Sequence, residues 1–498
     1  MEANITQKIF KNATISFGAK FLSVFLGIAS VGVLTRSLGR EGFGEYSIIF
    51  AYLYVFSLFA DFGLYSLLLR EISRPKADES KTFTHIFVIR ACFLAVFFSA
   101  SFFVINLFPY SENVKNNIFW GVLVYVFISF NQLIVGVFQK HLKMLTVALS
   151  EVVARAVQLG AFLWIFYSGI FSLEKFLYFV VAASCINFVL LIFTRRKYVK
   201  FKFSLDWRYV GWLLKEAWPL GVSVVFVYIY FKMDSIILSL MKSAEDVGIY
   251  SIAYKIFENL IVFPAMFMGL IIPLLSNYYI ADRQKFRNTV QKTQDVLFYA
   301  VIPLVFGGIM LAAPMLSLIA GSGFSEAVLP FDILMVSLVF VFVASLYGSV
   351  VIVINKQKVA TFAYATGAVF NFLTNLYFIK KYSYYGAALT TLGTEVLVTS
   401  LLFIIITKKI KFRPVFRGYG KVVLAGAIMA VVLAVFPVKN IIVRLLTGAS
   451  VYGLLVYYFG VITVEEVELI AKDLFRKTRD ARPLAGVTPE NNRNSNTP

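Results

Sequence analysis

Cysteine and histidine are nearly absent, with two of each in 498 residues. Cys92 and Cys185 both fall inside apolar runs, so no disulfide framework is expected and both read as small buried side chains. His85 and His141 lie in basic loop segments and read as surface residues rather than ligands, so no metal site is expected. There is no nucleotide-binding P-loop, no zinc-ligand spacing and no nucleophile elbow, which argues against ATP drive and against an enzyme. Charge is scarce too, at 15%, against roughly a quarter in soluble domains.

Apolar residues fill the gap: the chain is 59% hydrophobic and carries 52 Phe and 27 Tyr. Apolar runs of about 20 residues, enough to cross a hydrocarbon core of about 30 Å, recur along nearly the whole length. The pattern predicts fourteen spans, the first six near 13–35, 44–69, 83–107, 117–138, 147–168 and 174–193. The next six lie near 210–238, 247–275, 295–318, 329–353, 358–379 and 385–407, and the last two near 418–436 and 441–462. No loop is long and acidic enough to house a sugar-transfer site. The polar segment Met1 to Lys11 has no cleavable leader pattern, so the first span is expected to direct insertion itself.

The formal net charge of +20 raises nucleic acid as a partner, but no basic stripe interleaves with stacking aromatics. Lys and Arg sit mostly in short loops, where they set topology. With the N-terminus inside, inner loops hold roughly three times as many as outer loops. Arg195, Arg196, Lys197, Lys200 and Lys202 form the densest inner cluster. Both termini are therefore expected in the cytoplasm.

Gly44-Glu45-Tyr46-Ser47-Ile48 recurs 204 residues later as Gly248-Ile249-Tyr250-Ser251-Ile252. Both copies open an even-numbered span at its outer end, six spans apart. An even offset gives both the same orientation, so spans 1–6 and 7–12 are expected to be lobes related by an axis along the membrane normal. The expected division is a first lobe at 1–200, a second at 201–412, a helix pair at 413–465 and a partly disordered tail at 466–498.

Ionisable groups within a span are costly and each is a candidate for function. Asp61 and Arg90 lie at similar depth in the first lobe and are placed to pair. Glu151 and Arg155, spaced i,i+4, are placed to pair on one helix face. Lys232, Asp234, Lys255, Glu258 and Glu395 lie in the second lobe. Structural pairing explains any one of them. Together, Arg90, Arg155, Lys232 and Lys255 spread cations over both lobes, as a wet cavity for an anionic substrate requires. Arg36, beside the first pentamer, is counted with them. Arg suits a phosphate because its planar fork binds two oxygens, whereas Lys acts as a point charge. Pro264, Pro273, Pro303 and Pro314 are expected to interrupt spans 8 and 9.

The run Leu38-Gly39-Arg40-Glu41-Gly42-Phe43-Gly44-Glu45-Tyr46-Ser47 resembles the signature after the first helix of Wzx-type polysaccharide-export flippases. Those belong to the multidrug/oligosaccharidyl-lipid/polysaccharide exporter superfamily. Asp61-Phe62-Gly63-Leu64, Arg70-Glu71 and Asp234-Ser235-Ile236-Ile237-Leu238 are also like that family. The resemblance implies two six-helix lobes in a V around a cationic cavity. It also implies a polyprenyl-diphosphate-linked oligosaccharide as cargo, moved to the outer leaflet of the cell membrane.

The expectation is therefore an all-α polytopic membrane protein of about fourteen transmembrane helices, working as a lipid-linked oligosaccharide flippase. Its substrate-binding residues would be Arg36, Arg90, Arg155, Lys232 and Lys255. Asp61, Asp234 and Glu395 would couple Na⁺ or H⁺, with no other cofactor. Partners would be membrane lipids and glycosyltransferases or a polymerase of the same pathway. A drug exporter of the same fold is the first alternative, although such a pump favours acidic walls. A membrane-embedded glycan polymerase or acyltransferase is the second.

Overall fold

A computed structural model describes residues 2–202, 206–435, 438 and 440–461, with side chains at Ile15 and from Gly18 onward except at 223–231, 358 and 359. The expected tail at 466–498 lies outside the described residues. Among those residues the regular structure is entirely helical. Lipid imposes this, because each backbone N–H and C=O must be satisfied within its own segment.

Helix α1, Glu2–Asp61, breaks at Gly39 (φ 67°) into arms 2–38 and 40–61, and α2, Leu64–Ile72, continues the second arm. Next come α3 (Glu79–Val104), α4 (Glu112–Lys140), α5 (Met144–Ser168) and α6 (Leu173–Thr194). The second half holds α7 (Trp207–Met241), α8 (Ala244–Ala281), α9 (Arg283–Ala320) and α10 (Val328–Val353). Helix α11, Gln357–Ile410, breaks at Ser383 (φ 50°) into arms 357–382 and 384–410. Helices α12 (Tyr419–Val435) and α13 (Ile441–Tyr458) form the final pair. With arms counted separately this gives the fourteen rods expected. Asp78, Ser111, Asp206, Ser243, Asp282 and Asn440 start their helices by accepting first-turn backbone N–H groups.

The outside is apolar: Phe25, Val96, Phe103, Leu107 and Leu454 are all well exposed, as a lipid-facing surface requires. Cys92 is exposed on this surface rather than buried, a departure from expectation. His85 departs the other way. It is fully buried, with Nδ1 2.7 Å from the Lys81 carbonyl and Nε2 accepting the Asp206 N–H at 2.9 Å.

The second arm of α1 packs along α8, and this contact joins the two pentamers. A Cβ on Gly44 would lie 1.6 Å from the Ala244 carbonyl oxygen, and one on Gly248 would lie 2.2 Å from that of Arg40. Ala244 and Gly248 are the 204-residue counterparts of Arg40 and Gly44. The contact is thus reciprocal, as a local two-fold axis makes it. Arg40 closes it from the side, 3.1 Å from Glu245 and 2.8 Å from Glu326.

At the opposite end the polypeptide interrupts α1–α2 at Phe62 (φ 37°) and Gly63 (φ 79°). Here α7 comes close: a Cβ on Gly63 would lie 2.7 Å from the Gly221 N, and one on Gly221 equally near the Phe62 carbonyl oxygen. Arg70 reaches Glu216 at 2.5 Å, and Leu213 and Ala217 join the apolar cluster of Leu64, Leu67, Phe83 and Leu133. The start of α7 therefore packs on first-half helices, although the expected lobe boundary precedes it. By contrast α8 and α9 run through Pro264, Pro273, Pro303 and Pro314 without a non-helical residue. The break falls at Phe62–Gly63 because positive φ, unlike a proline, leaves no helical path.

Candidate functional site: a cavity shared by both halves

A cavity of about 710 Å³ opens between α1, α4, α5 and α6 on one side and α7 and α8 on the other. Among the described residues its charged lining is Lys20, Glu151, Arg155, Lys232, Lys255 and Glu258. Four cations against two carboxylates leave a formal surplus of two positive charges. Asn131, Gln158, Asn187 and Asn259 add polar groups, and Tyr46, Phe50, Tyr54 and Tyr254 add aromatic faces. Such a wall suits an anion attached to a larger polar body.

Each cation is held by its neighbours. Lys20, on the first arm of α1, lies 2.8 Å from Glu151 on α5. Arg155, one turn further along α5, donates to Gln158 Oε1 at 3.2 Å and makes no carboxylate ion pair among the described residues. Its guanidinium passes over Gly27 of α1, where a Cβ would lie 3.9 Å from the guanidinium carbon. Glu258 on α8 takes Lys232 of α7 on Oε1 at 3.0 Å and Lys255, on its own helix, on Oε2 at 3.1 Å. The Lys232 ammonium also sits 4.6 Å from the Tyr254 ring centroid.

Of the five expected substrate-binding residues, Arg155, Lys232 and Lys255 line the cavity. Arg90 does not: it is fully buried in the first half, 2.5 Å from Asp61 Oδ1 and 3.2 Å from Gln132. Asp61 also accepts the Tyr65 N–H across the helix break at 3.3 Å. Arg36 is not part of the cavity lining and donates to the Leu318 carbonyl at 2.6 Å.

Asp234 is buried behind the wall, accepting hydrogen bonds from Tyr250 and, at 2.9 Å, from Thr391. Nearby on α11, Asn375 donates to Asn371 at 2.8 Å, and Asn371 to Thr394 at 3.2 Å. Glu395 is buried beside Thr394. Asp61, Asp234 and Glu395 thus fall in two separate interiors.

Lys20 was missed, although it stands seven residues inside the first expected span and satisfies the intramembrane-charge rule. Glu151 was expected to pair with Arg155; its ion pair is with Lys20 instead, because the first arm of α1 packs on α5. Sequence spacing cannot see a partner on another helix.

Beyond the cavity, a polar clasp ties the connection before α7 to α3. Lys81 reaches Asp206 at 2.9 Å and Lys202 reaches Asp78 at 2.6 Å. Both aspartates are held below the ordinary carboxylate range, Asp206 chiefly by the Lys81 hydrogen bond and Asp78 chiefly by that of Lys202.

The protein family described as "Polysaccharide biosynthesis protein" matches residues 9–279. A putative O-antigen transporter of Shigella flexneri is 25% identical over 409 residues, covering 77% of this chain and 94% of that protein. A probable low-salt glycan biosynthesis flippase of Haloferax volcanii is 21% identical, covering 87% of this chain and 90% of that one. Among solved structures, an inward closed conformation of the lipid II flippase MurJ superposes with a TM-score of 0.74 at 17% identity, covering 90% of this chain and all of that one. An inward-facing multidrug resistance transporter of the MATE family gives 0.64 at 13% identity, covering 80% and 98%. These likenesses establish the fold.

Proposed function

This chain belongs to the polysaccharide biosynthesis protein family, and on that footing we propose that it is a flippase for polyprenyl-diphosphate-linked oligosaccharides. It is a transporter rather than an enzyme. The carrying observation is the cationic cavity shared by both halves. Arg155, Lys20, Lys232 and Lys255 would hold the diphosphate, while the asparagines and tyrosines face the first sugars. The prenyl chain stays in the bilayer. The lobes would then part at the Gly44–Gly248 contact and release the glycan on the far side.

Loop charge supports a location in the cell membrane with both termini in the cytoplasm. Glycosyltransferases making the glycan are the natural partners on that side. Asp234, with Tyr250 and Thr391, has the chemistry to couple transport to H⁺ or Na⁺, since a buried carboxylate exchanges its cation as its surroundings open. Asp61 is committed to Arg90 and is the weaker candidate; Glu395, near the α11 polar network, is the stronger second. A drug exporter of the same fold fits the MATE-family likeness, but a surplus of positive charge disfavours cationic drugs.

The test is transport by the purified full chain in liposomes. A fluorescent prenyl-diphosphate oligosaccharide should cross with wild type and not with Arg155→Ala. Movement of a cationic dye without movement of the lipid-linked glycan would overturn the reading.

A further inference from the structure

The cavity's cations are not idle before substrate arrives. Glu258 divides its two oxygens between Lys232 and Lys255, and Glu151 holds Lys20. A substrate must therefore replace a carboxylate already in place. Any cavity open to the bilayer also meets anionic phospholipids, which vastly outnumber a biosynthetic intermediate. Those lipids are phosphodiesters with one negative charge. A glycosyl diphosphate diester carries two.

We propose that Glu258 is a built-in counter-ion that excludes singly charged phosphodiester lipids and admits diphosphates. This rests on the flippase reading of the same cavity. A single charge arriving at Lys232 and Lys255 only exchanges with the Glu258 carboxylate, and so gains little over the ion pairs it breaks. A diphosphate replaces that carboxylate with one phosphate and brings its second charge to Arg155, which makes no direct ion pair among the described residues and shares the field of Glu151 with Lys20. Its two charges also match the surplus of two in the wall. Specificity thus comes from a repulsive element as much as from attraction, and the split geometry of Glu258 suits it to the task.

The experiment is competition on the full chain in detergent. A short fluorescent prenyl-diphosphate-N-acetylglucosamine is displaced by phosphatidylglycerol from wild type, Glu258→Gln, Glu258→Asp and the double variant Glu258→Gln with Lys255→Gln. Glu258→Gln is expected to let phosphatidylglycerol compete roughly tenfold better, the scale of one unpaired charge in a partly wet site. Glu258→Asp should retain most of the exclusion. The double variant returns the surplus to two and leaves one uncompensated cation, Lys232, in place of two, so it should recover part of the exclusion, which damaged folding would not do. Equal competition in wild type and Glu258→Gln, or no recovery in the double variant, overturns the proposal. If wild type fails to bind the diphosphate probe, or Arg155→Ala binds it equally, the flippase reading falls as well.

Discussion

Arg90 and Asp61 meet at 2.5 Å inside the first half of the chain, with the guanidinium fully buried and off the cavity wall. The pair sits where the helix breaks at Phe62–Gly63, and Asp61 accepts a backbone N–H from beyond the break. Arg90 is thus placed to hold the broken helix. Arg90→Ala should cost about 3–5 kcal/mol, since it strips the partner from a buried carboxylate. Combining Arg90→Gln with Asp61→Asn should cost less than Arg90→Ala alone. Thermal melting of the purified variants measures this; an Arg90→Ala protein as stable as wild type would refute it.

Arg155 should behave in the opposite way. Arg155→Ala is expected to keep near-normal stability while binding of a diphosphate probe weakens by about ten- to a hundredfold, the loss of a charge-assisted pair. Arg155→Lys should recover only part, because an ammonium lacks the two-pronged fork. Titration with the probe separates these outcomes, and full recovery by lysine would count against bidentate contact.

The Gly44–Gly248 contact has no room for a side chain, so Gly44→Ala should force the lobes apart at that end. A single cysteine at Ser251, on the cavity wall, reports the change in a variant lacking Cys92 and Cys185. Labelling by an impermeant maleimide from outside should rise in Gly44→Ala cells. Unchanged labelling would mean that this contact does not close the cavity.

Asp206 gives a pH dependence with a definite sign. Its pKa is lowered in the folded chain by Lys81 and by backbone N–H groups, so its contribution is present above the unfolded value and is lost as acid protonates it. Asp206→Asn should lower the melting temperature more at about pH 7 than at about pH 3, because the deficit shrinks below the ordinary carboxylate value of about 3.9 and vanishes only below the lowered folded value. An equal deficit at both values would exclude the ion pair as the cause.

If Asp234 couples a cation, Asp234→Asn should bind the diphosphate probe normally yet lose dependence of transport on an imposed H⁺ or Na⁺ gradient. Transport that still responds to the gradient would move the coupling role to Glu395 or elsewhere.

Much of this arrangement was legible beforehand. The fourteen rods follow from apolar length, and the break at Gly39 from a glycine between two long runs. The pentamer repeat points to two related lobes but gives no sign that its two glycines meet. Arg155, Lys232 and Lys255 were found because charge within a span is costly wherever it points. Lys20 obeyed the same rule and was overlooked. The burial of His85 was not legible, since its partner Asp206 lies 121 positions away.

By itself, the amino-acid sequence determined that the chain must be helical and cross the bilayer many times, because lipid offers no partner for an unpaired backbone. It also determined the stock of intramembrane charges and the recurrence of the pentamer. Only tertiary structure decided which charges meet. Rotation of α3 about its axis buries Arg90 against Asp61, while packing of α1 on α5 and of α7 beside α8 brings Lys20, Arg155 and Lys232 to one cavity. Those rotations depend on contacts between helices far apart in the chain, such as Gly63 on Gly221 and Gly44 on Gly248. No periodicity within a single span encodes them.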